Sequence, residues 1–306
     1  MSLPGEYSYQ RYLAAKKSLD DRSLNRCVWL SLKREIKQKD APLRILEIGA
    51  GIGTMIERVV EWDLVSDASY TAVEQQPGNL EFARGRLEQW ANQRGVGFEQ
   101  VSEDQILLRA TDMQINIEFK PVDFYHFQND NQPGGQYDVI IAHAFLDLVD
   151  LSRALPILFE LLHPDGLFYF SINYDGLTIL EPPLDRGLEE RVLELYQRTM
   201  DERKVDGAPS GDSRTGRHLF TQIRQQGAQI LDMGASDWVV FPGSSGYRDD
   251  EAYFLHFIIH TIHTSLEGNE HINQEDLDGW ADNRHRQIEL GELLYIAHQL
   301  DYVGKV

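Results

Sequence analysis

Between residues 24 and 37, apolar side chains fall at Leu24, Val28, Leu32 and Ile36. That four-residue spacing predicts an amphipathic helix with one buried stripe. The pattern then changes. Residues 43–48 are short, mostly apolar and run into glycines, as a strand buried on both faces does before a tight turn. Residues 54–62 predict a helix with Thr54 as its cap. A second strand is expected at 69–73 and a second helix at 77–92, with proline at its start. Residues 115–119 alternate, as a half-buried strand should, and 107–109 are placed to pair with them through a turn at Thr111-Asp112. A strongly apolar strand at 137–142, a helix at 152–162 and a strand at 166–172 follow.

This alternation predicts an α/β fold: a doubly wound, mostly parallel sheet with helices on both faces. It breaks after Asn173. Residues 176–216 are polar and rich in glycine and proline, with one helix expected at 188–201, and are expected to form a lid over the sheet's carboxyl edge. A helix at 217–226, a strand at 229–240, helices at 251–266 and 274–289 and a strand at 293–298 complete the pattern. The expected organisation is one domain over 1–306, with an N-terminal helical extension at 1–40, an inserted lid at 176–216 and completion of the sheet at 217–306.

Composition narrows the function. Acidic residues number 49 and basic residues 29, a net charge of −20. Such a surface repels phosphate backbones and anionic membranes, so neither nucleic acid nor membrane is an expected partner. The single cysteine, Cys27, permits no internal disulfide, which suits a reducing cytoplasm, and it is expected to be a buried, inert thiol. The first ten residues lack the apolar run of a signal peptide, and no stretch approaches the ~18 apolar residues of a membrane span.

The sharpest chemical signal is Glu47-Ile48-Gly49-Ala50-Gly51-Ile52-Gly53, directly after a strand and before a helix. Glycines there let the backbone turn hard and approach a ligand closely, and the helix start offers unpaired N–H groups. Dinucleotide enzymes space these glycines G-x-G-x-x-G, whereas here the third follows after one residue and Thr54 comes next. Glu74, twenty-one residues past Gly53, ends the second strand, where an acidic side chain accepts hydrogen bonds from ribose hydroxyls in either ligand class.

Taken in order, Glu47 to Gly53, Glu74, Asp123-Phe124, the segment Tyr137 to Leu146 and the turn His163-Pro164-Asp165-Gly166 resemble the motifs of the class I S-adenosylmethionine-dependent methyltransferases. The resemblance covers 43–173 well and the remainder more loosely. It departs at Pro-Asp-Gly, where the family usually has Pro-Gly-Gly. It implies the Rossmann-like seven-stranded sheet, whose last strand is antiparallel and slots between the fifth and sixth, and S-adenosyl-L-methionine as cofactor. It implies a cofactor site of Glu47, Gly49, Ala50, Gly51, Gly53, Glu74, Gln75, Asp123, Phe124, Ala142 and Phe145, and methyl transfer to a small-molecule acceptor by in-line displacement.

His143, just past the fourth main strand and titrating near neutral pH, is the candidate general base. Tyr12, Tyr174, Arg214 and His218 are candidate substrate residues, with Asp175 beside them, and Tyr7, Tyr9 and Tyr12 are placed to close over the pocket. His256, His260 and His263 fall near one helical face, but with no carboxylate set beside them no metal is expected. Two other functions stay open on the sequence alone: a non-catalytic cofactor-binding or scaffold protein that keeps the fold, and an NAD(P)-dependent oxidoreductase. An aminopropyl transferase is a minor third. The oligomeric state is open, a homodimer among the options.

Overall fold

A computed structural model describes residues 4–130 and 136–306. Three short helices open the chain: α1 (Tyr9–Ala15), α2 (Lys17–Ser23) and α3 (Arg26–Ile36). Asn25 caps α3 by accepting from the amides of Cys27 and Val28. Val28, Trp29, Leu32 and Ile36 form its buried stripe. Cys27 falls off that stripe and is exposed, which corrects the expectation of a buried thiol.

The sheet begins with β1 (Leu43–Ile48), α4 (Thr54–Glu61), β2 (Asp67–Glu74) and α5 (Pro77–Arg94). A meander of β3 (Gly97–Gln100), β4 (Gln105–Ala110) and β5 (Met113–Pro121) follows, then α6 (Phe124–Asp130), β6 (Tyr137–His143), α7 (Leu151–Glu160) and β7 (Leu162–Glu181). Next come α8 (Arg186–Asp201), the ribbon β8 (Lys204–Val205) and β9 (Ala208–Pro209), and α9 (Thr215–Gln225). The chain closes with β10 (Gln229–Ala235), β11 (Trp238–Val240), α10 (Glu251–Leu266), α11 (Gln274–Leu290) and β12 (Leu294–Lys305).

The strands lie in the order β10-β12-β7-β6-β1-β2-β5-β4-β3, with β11 also on β12. β1 pairs in parallel with β2 and β6, β2 with β5, and β6 with β7. β12 runs antiparallel between β10 and β7, where the last strand was expected. The seven expected strands thus run from β10 at one edge to β5 in a ten-stranded sheet. The hairpin β3–β4 extends its edge at β5, and the expected strand at 229–240 divides into β10 and β11. β7 is far longer than the expected 166–172, because β12 pairs with it from Leu167 out to Glu181. The first stretch of segment 176–216 therefore continues the sheet.

Both faces are covered. One cluster includes Val28, Leu32, Met55, Val59, Leu80, Leu87, Leu255 and Trp280; the other includes Phe124, Leu155, Leu158, Leu219 and Ile223. Burying both faces requires the near-continuous apolar runs seen in β1 and β6. Among the described residues no helix is long and apolar enough to cross a membrane.

Candidate active site

In open α/β sheets ligands bind beyond the carboxyl ends of the strands. A cavity of about 1360 Å³ opens there, and Glu47, Gly49, Ala50, Gly51, Glu74, Gln75, Asp123, Phe124, His143, Phe145, Tyr12 and Tyr174 all line it. Of the other expected cofactor residues, Gly53 packs beneath the turn against Ala83 and Leu87, and Ala142 is fully buried in the core. Arg214 and His218 do not line the cavity. Arg214 precedes α9 and is exposed, and His218 pairs with Asp212 at 2.5 Å. The helix that carries His218, α9, packs on β7, β10 and α7.

The turn after β1 is left-handed at Gly49 (φ 72) and Gly51 (φ 53). A side chain at Gly49 would strike the Phe145 ring, while at Gly51 the nearest atom is a terminal methyl of Leu13 at 3.4 Å. The space above Gly51 is therefore open to a ligand. Glu74 accepts from the amides of Gly51 (3.0 Å) and Gln76 (2.9 Å) and from Asn79 Nδ2 (3.3 Å). Its carboxylate is fixed at the strand end, and a carboxylate has lone pairs beyond these three donors. Asp123 accepts from the Tyr125 amide at 2.8 Å and holds the start of α6. Phe124 meets Phe145 edge to face at 6.1 Å. Glu47 is buried and accepts a 2.7 Å hydrogen bond from Tyr70. Burial pushes its carboxyl up to about 8, against the pull of that bond and of Arg58. Turn, acidic strand end and apolar walls fit an adenosyl cofactor with a cationic amino-acid tail.

His143 sits at the end of β6, nearly buried, with both ring nitrogens engaged. Nδ1 lies 2.9 Å from Ser171 Oγ, and Nε2 lies 3.1 Å from Asp20 Oδ2 and 3.3 Å from Arg58 Nη1. Nε2 thus faces an obligate acceptor, Asp20, and an obligate donor, Arg58, and the tautomer that serves one of them sets whether Nδ1 donates to or accepts from the Ser171 hydroxyl. Burial, reinforced by the Arg58 cation, lowers His143 to about 4, against the opposing effect of Asp20. Asp20 also receives Lys16 Nζ (3.0 Å) and Trp238 Nε1 (2.8 Å). Burial works to raise Asp20, but Lys16, His143 and Arg58 together hold it well below the usual carboxylate range. These partners lie more than 80 positions from His143 on Arg58, and further on Asp20, so no local motif exposes them.

Much of the remaining lining is aromatic. Tyr12 stacks on Phe257 at 4.3 Å, and Tyr9, Tyr174, Tyr196 and Tyr295 join it in the lining. Tyr7 stacks instead on His260 at 3.9 Å. The wall also includes Asp147, one residue past the segment resembling the fourth motif, and Arg203. His256 contacts His285 at 2.9 Å and His263 contacts Asp278 at 2.7 Å; among the described residues no group of three metal-ligating side chains forms.

Residues 21–203 match a family model described as a methyltransferase domain. No curated protein matches the chain. Among solved structures, the cyclase SpnF is similar at 17% identity and TM-score 0.40, over 99% of this chain and 83% of that one. A phosphoethanolamine N-methyltransferase of Haemonchus contortus, in complex with S-adenosylhomocysteine, is similar at 10% identity and TM-score 0.44, over 99% and 61%. The geranyl diphosphate C-methyltransferase of Streptomyces coelicolor A3(2) is similar at 8% identity and TM-score 0.45, over 99% and 86%. Resemblance at this level does not define an acceptor. The family model spans more than half of the sequence: the chain belongs to the methyltransferase-domain family and is an S-adenosylmethionine-dependent methyltransferase of Rossmann-like fold.

Proposed function

We propose that the chain methylates a small molecule held in the aromatic part of the cavity, under a cover made by α1, α8 and the β8–β9 ribbon. The observation that carries this is continuity: one cavity is lined by Gly49, Gly51 and Glu74 and also by Tyr12, Tyr174 and Tyr196. Segment 176–216 supplies Thr178, Tyr196, Met200 and Arg203 to its wall, as a lid would. The bound cofactor supplies an electrophilic methyl group. The protein's part is orientation and exclusion of water. Holding two reactants in line is worth up to ~7–11 kcal/mol.

In this reading Gly49 and Gly51 bring main chain against the cofactor, Glu74 takes ribose hydroxyls, and Phe124 and Phe145 wall the adenine side. The acidic molecule remains a poor partner for nucleic acid. His143 acts by position: its ring, fixed between Ser171 and Asp20, braces the end of β6, where Ala144 adopts φ 50. A histidine whose basicity burial has lowered, and whose two nitrogens are both engaged, has little capacity to take a proton from an acceptor.

Calorimetry with S-adenosylhomocysteine and NAD, followed by labelled-methyl transfer to a metabolite library, tests the function. Binding of the first, none of the second, and label in a small molecule are expected. Label only in protein or nucleic acid would refute the small-molecule acceptor. Cofactor binding with no transfer to any class would favour a non-catalytic role.

A further inference from the structure

The charged groups on the acceptor side of the cavity do not all pair with one another. Lys16 is matched by Asp20 at 3.0 Å. Arg203 commits Nε to the Ser210 carbonyl at 2.8 Å and Nη2 to the Asp147 carbonyl at 3.2 Å, both main-chain oxygens. Asp147 lines the same wall, and its carboxylate Oδ1 is shielded from solvent with no hydrogen-bond partner. An unmet buried carboxylate oxygen is costly, so it marks a place that a ligand donor completes.

Aromatic rings surround it. Tyr9, Tyr174 and Tyr196 share the wall, and the charge of Asp147 acts on the phenol of each, on Tyr9 after that of Glu74. Rings beside a carboxylate with an unmet oxygen favour one ligand chemistry above others: an organic cation, drawn by the ring quadrupoles and by the negative charge together. A carboxylate or phosphate ligand would meet Asp147 with repulsion, and Arg203, bonded to the chain at Nε and Nη2, is poorly placed to compensate.

Resting on the small-molecule reading above, we infer that the methyl acceptor is an amine that enters as its ammonium ion, seated by Asp147 among Tyr9, Tyr174 and Tyr196. Asp147 accepts hydrogen bonds from the ammonium and then one of its protons. The freed nitrogen lone pair forms the bond to the methyl carbon as the carbon–sulfur bond breaks, and that bond's electron pair stays on sulfur. Burial holds the Asp147 carboxyl above its ordinary range, over the opposing effect of a hydrogen bond from its own main-chain amide and of Arg203 and Lys16, which suits it to hold that proton.

The test uses three probes of one shape: 2-phenylethylammonium, 2-phenylethanol and phenylacetate. Each is titrated calorimetrically into the full chain, with and without S-adenosylhomocysteine. The ammonium should bind about tenfold or more tighter than the alcohol, and phenylacetate weakest. Asp147→Asn is nearly isosteric and removes only the charge. It should reduce the preference for ammonium over alcohol to about twofold or less, with S-adenosylhomocysteine affinity unchanged as the check on folding and on the cofactor half. Tyr196→Phe should keep the preference and Tyr196→Leu weaken it several-fold. Equal binding of ammonium and alcohol, tightest binding of phenylacetate, or an Asp147→Asn protein that still prefers ammonium would overturn the inference. A wild-type chain that binds ammonium but not S-adenosylhomocysteine would overturn the methyl-transfer reading and leave the ammonium seat standing.

Discussion

His143 illustrates how one residue's neighbours decide its chemistry. At the end of a strand facing a cavity, an exposed imidazole would titrate near neutral pH and serve as a base. Here burial and Arg58 hold it neutral down to about pH 4. The consequence for stability has a definite sign. Between the ordinary value of 6.5 and about 4, the unfolded chain binds a proton that the folded chain refuses. Stability from this group is therefore complete above pH 6.5 and falls as the pH drops towards 4, by up to about 3 kcal/mol. Urea unfolding of His143→Gln should give a flatter profile in that window, with lower stability at pH 7 because Asp20 loses a partner. A variant profile that parallels the wild type would show that His143 titrates freely. At Gly51 the decisive quantity is backbone geometry. The residue stands at φ 53, which a β-branched side chain strongly disfavours, and a valine there would project into the open space above the turn. Gly51→Val should lower S-adenosylhomocysteine affinity at least ~100-fold, close to a full loss, with unfolding still cooperative. Unchanged affinity in a folded variant would make the turn a mere connector.

Elements were legible in the sequence where their signal was local. Helix α10 shows dense apolar positions and α11 a capping asparagine, and both begin where the pattern places them. The glycine turn and Glu74 were legible because each motif residue sits near its own strand end. Of the extra strands, β4 was legible through its expected pairing with β5 across the turn at 111–112, while β3 and the separate β11 were not. β3 is a four-residue edge strand with mostly exposed side chains, so it carries no apolar alternation. The division between β10 and β11 falls at buried Ser236, whose amide donates to the Gln299 carbonyl, and at Asp237, which pairs with His298 at 2.7 Å. Those bonds come from a strand about sixty residues later. Asp20, Arg58 and Ser171 escaped notice for the same reason, since only the fold gathers them around His143. Packing between elements gives its own prediction. Trp29 of α3 is buried, edge to face with Trp62 at 4.9 Å and with Tyr169 of β7 at 5.6 Å. It fastens the N-terminal helices to the sheet. Trp29→Ala should cost about 3–5 kcal/mol in urea unfolding. A loss under ~1 kcal/mol would mean that α3 is only loosely docked.

Across the whole molecule, two electrostatic effects compete, and added salt separates them. The net charge of −20 acts through self-repulsion, which destabilises the compact state and is relieved by screening. Opposing it are surface ion pairs that salt weakens, such as Arg109–Glu99 at 3.0 Å and Arg191–Glu194 at 3.0 Å. Exposed pairs of this kind contribute at most about 1 kcal/mol each and often nothing measurable. The stronger pairs are sheltered: Arg58 and Asp20 are nearly inaccessible to solvent, and so is Lys16 beside them. Screening reaches such pairs much less than exposed charges. Acidic residues exceed basic ones by 20, so most of the screened energy is repulsive. At ~10 mM salt the Debye length of about 30 Å lets carboxylates across the whole surface repel one another, and at ~0.15 M it shrinks to about 8 Å. Melting followed by calorimetry should therefore show Tm rising as sodium chloride goes from ~10 mM to ~150 mM, by several degrees if the relief amounts to a few kcal/mol. Neutralising exposed acids far from the cavity, as in Glu270→Gln with Asp112→Asn, should raise Tm at low salt and reduce its further rise with added salt. A Tm that falls on adding salt would mean that surface pairing outweighs the excess charge, and that the acidity of this chain is organised into stabilising networks.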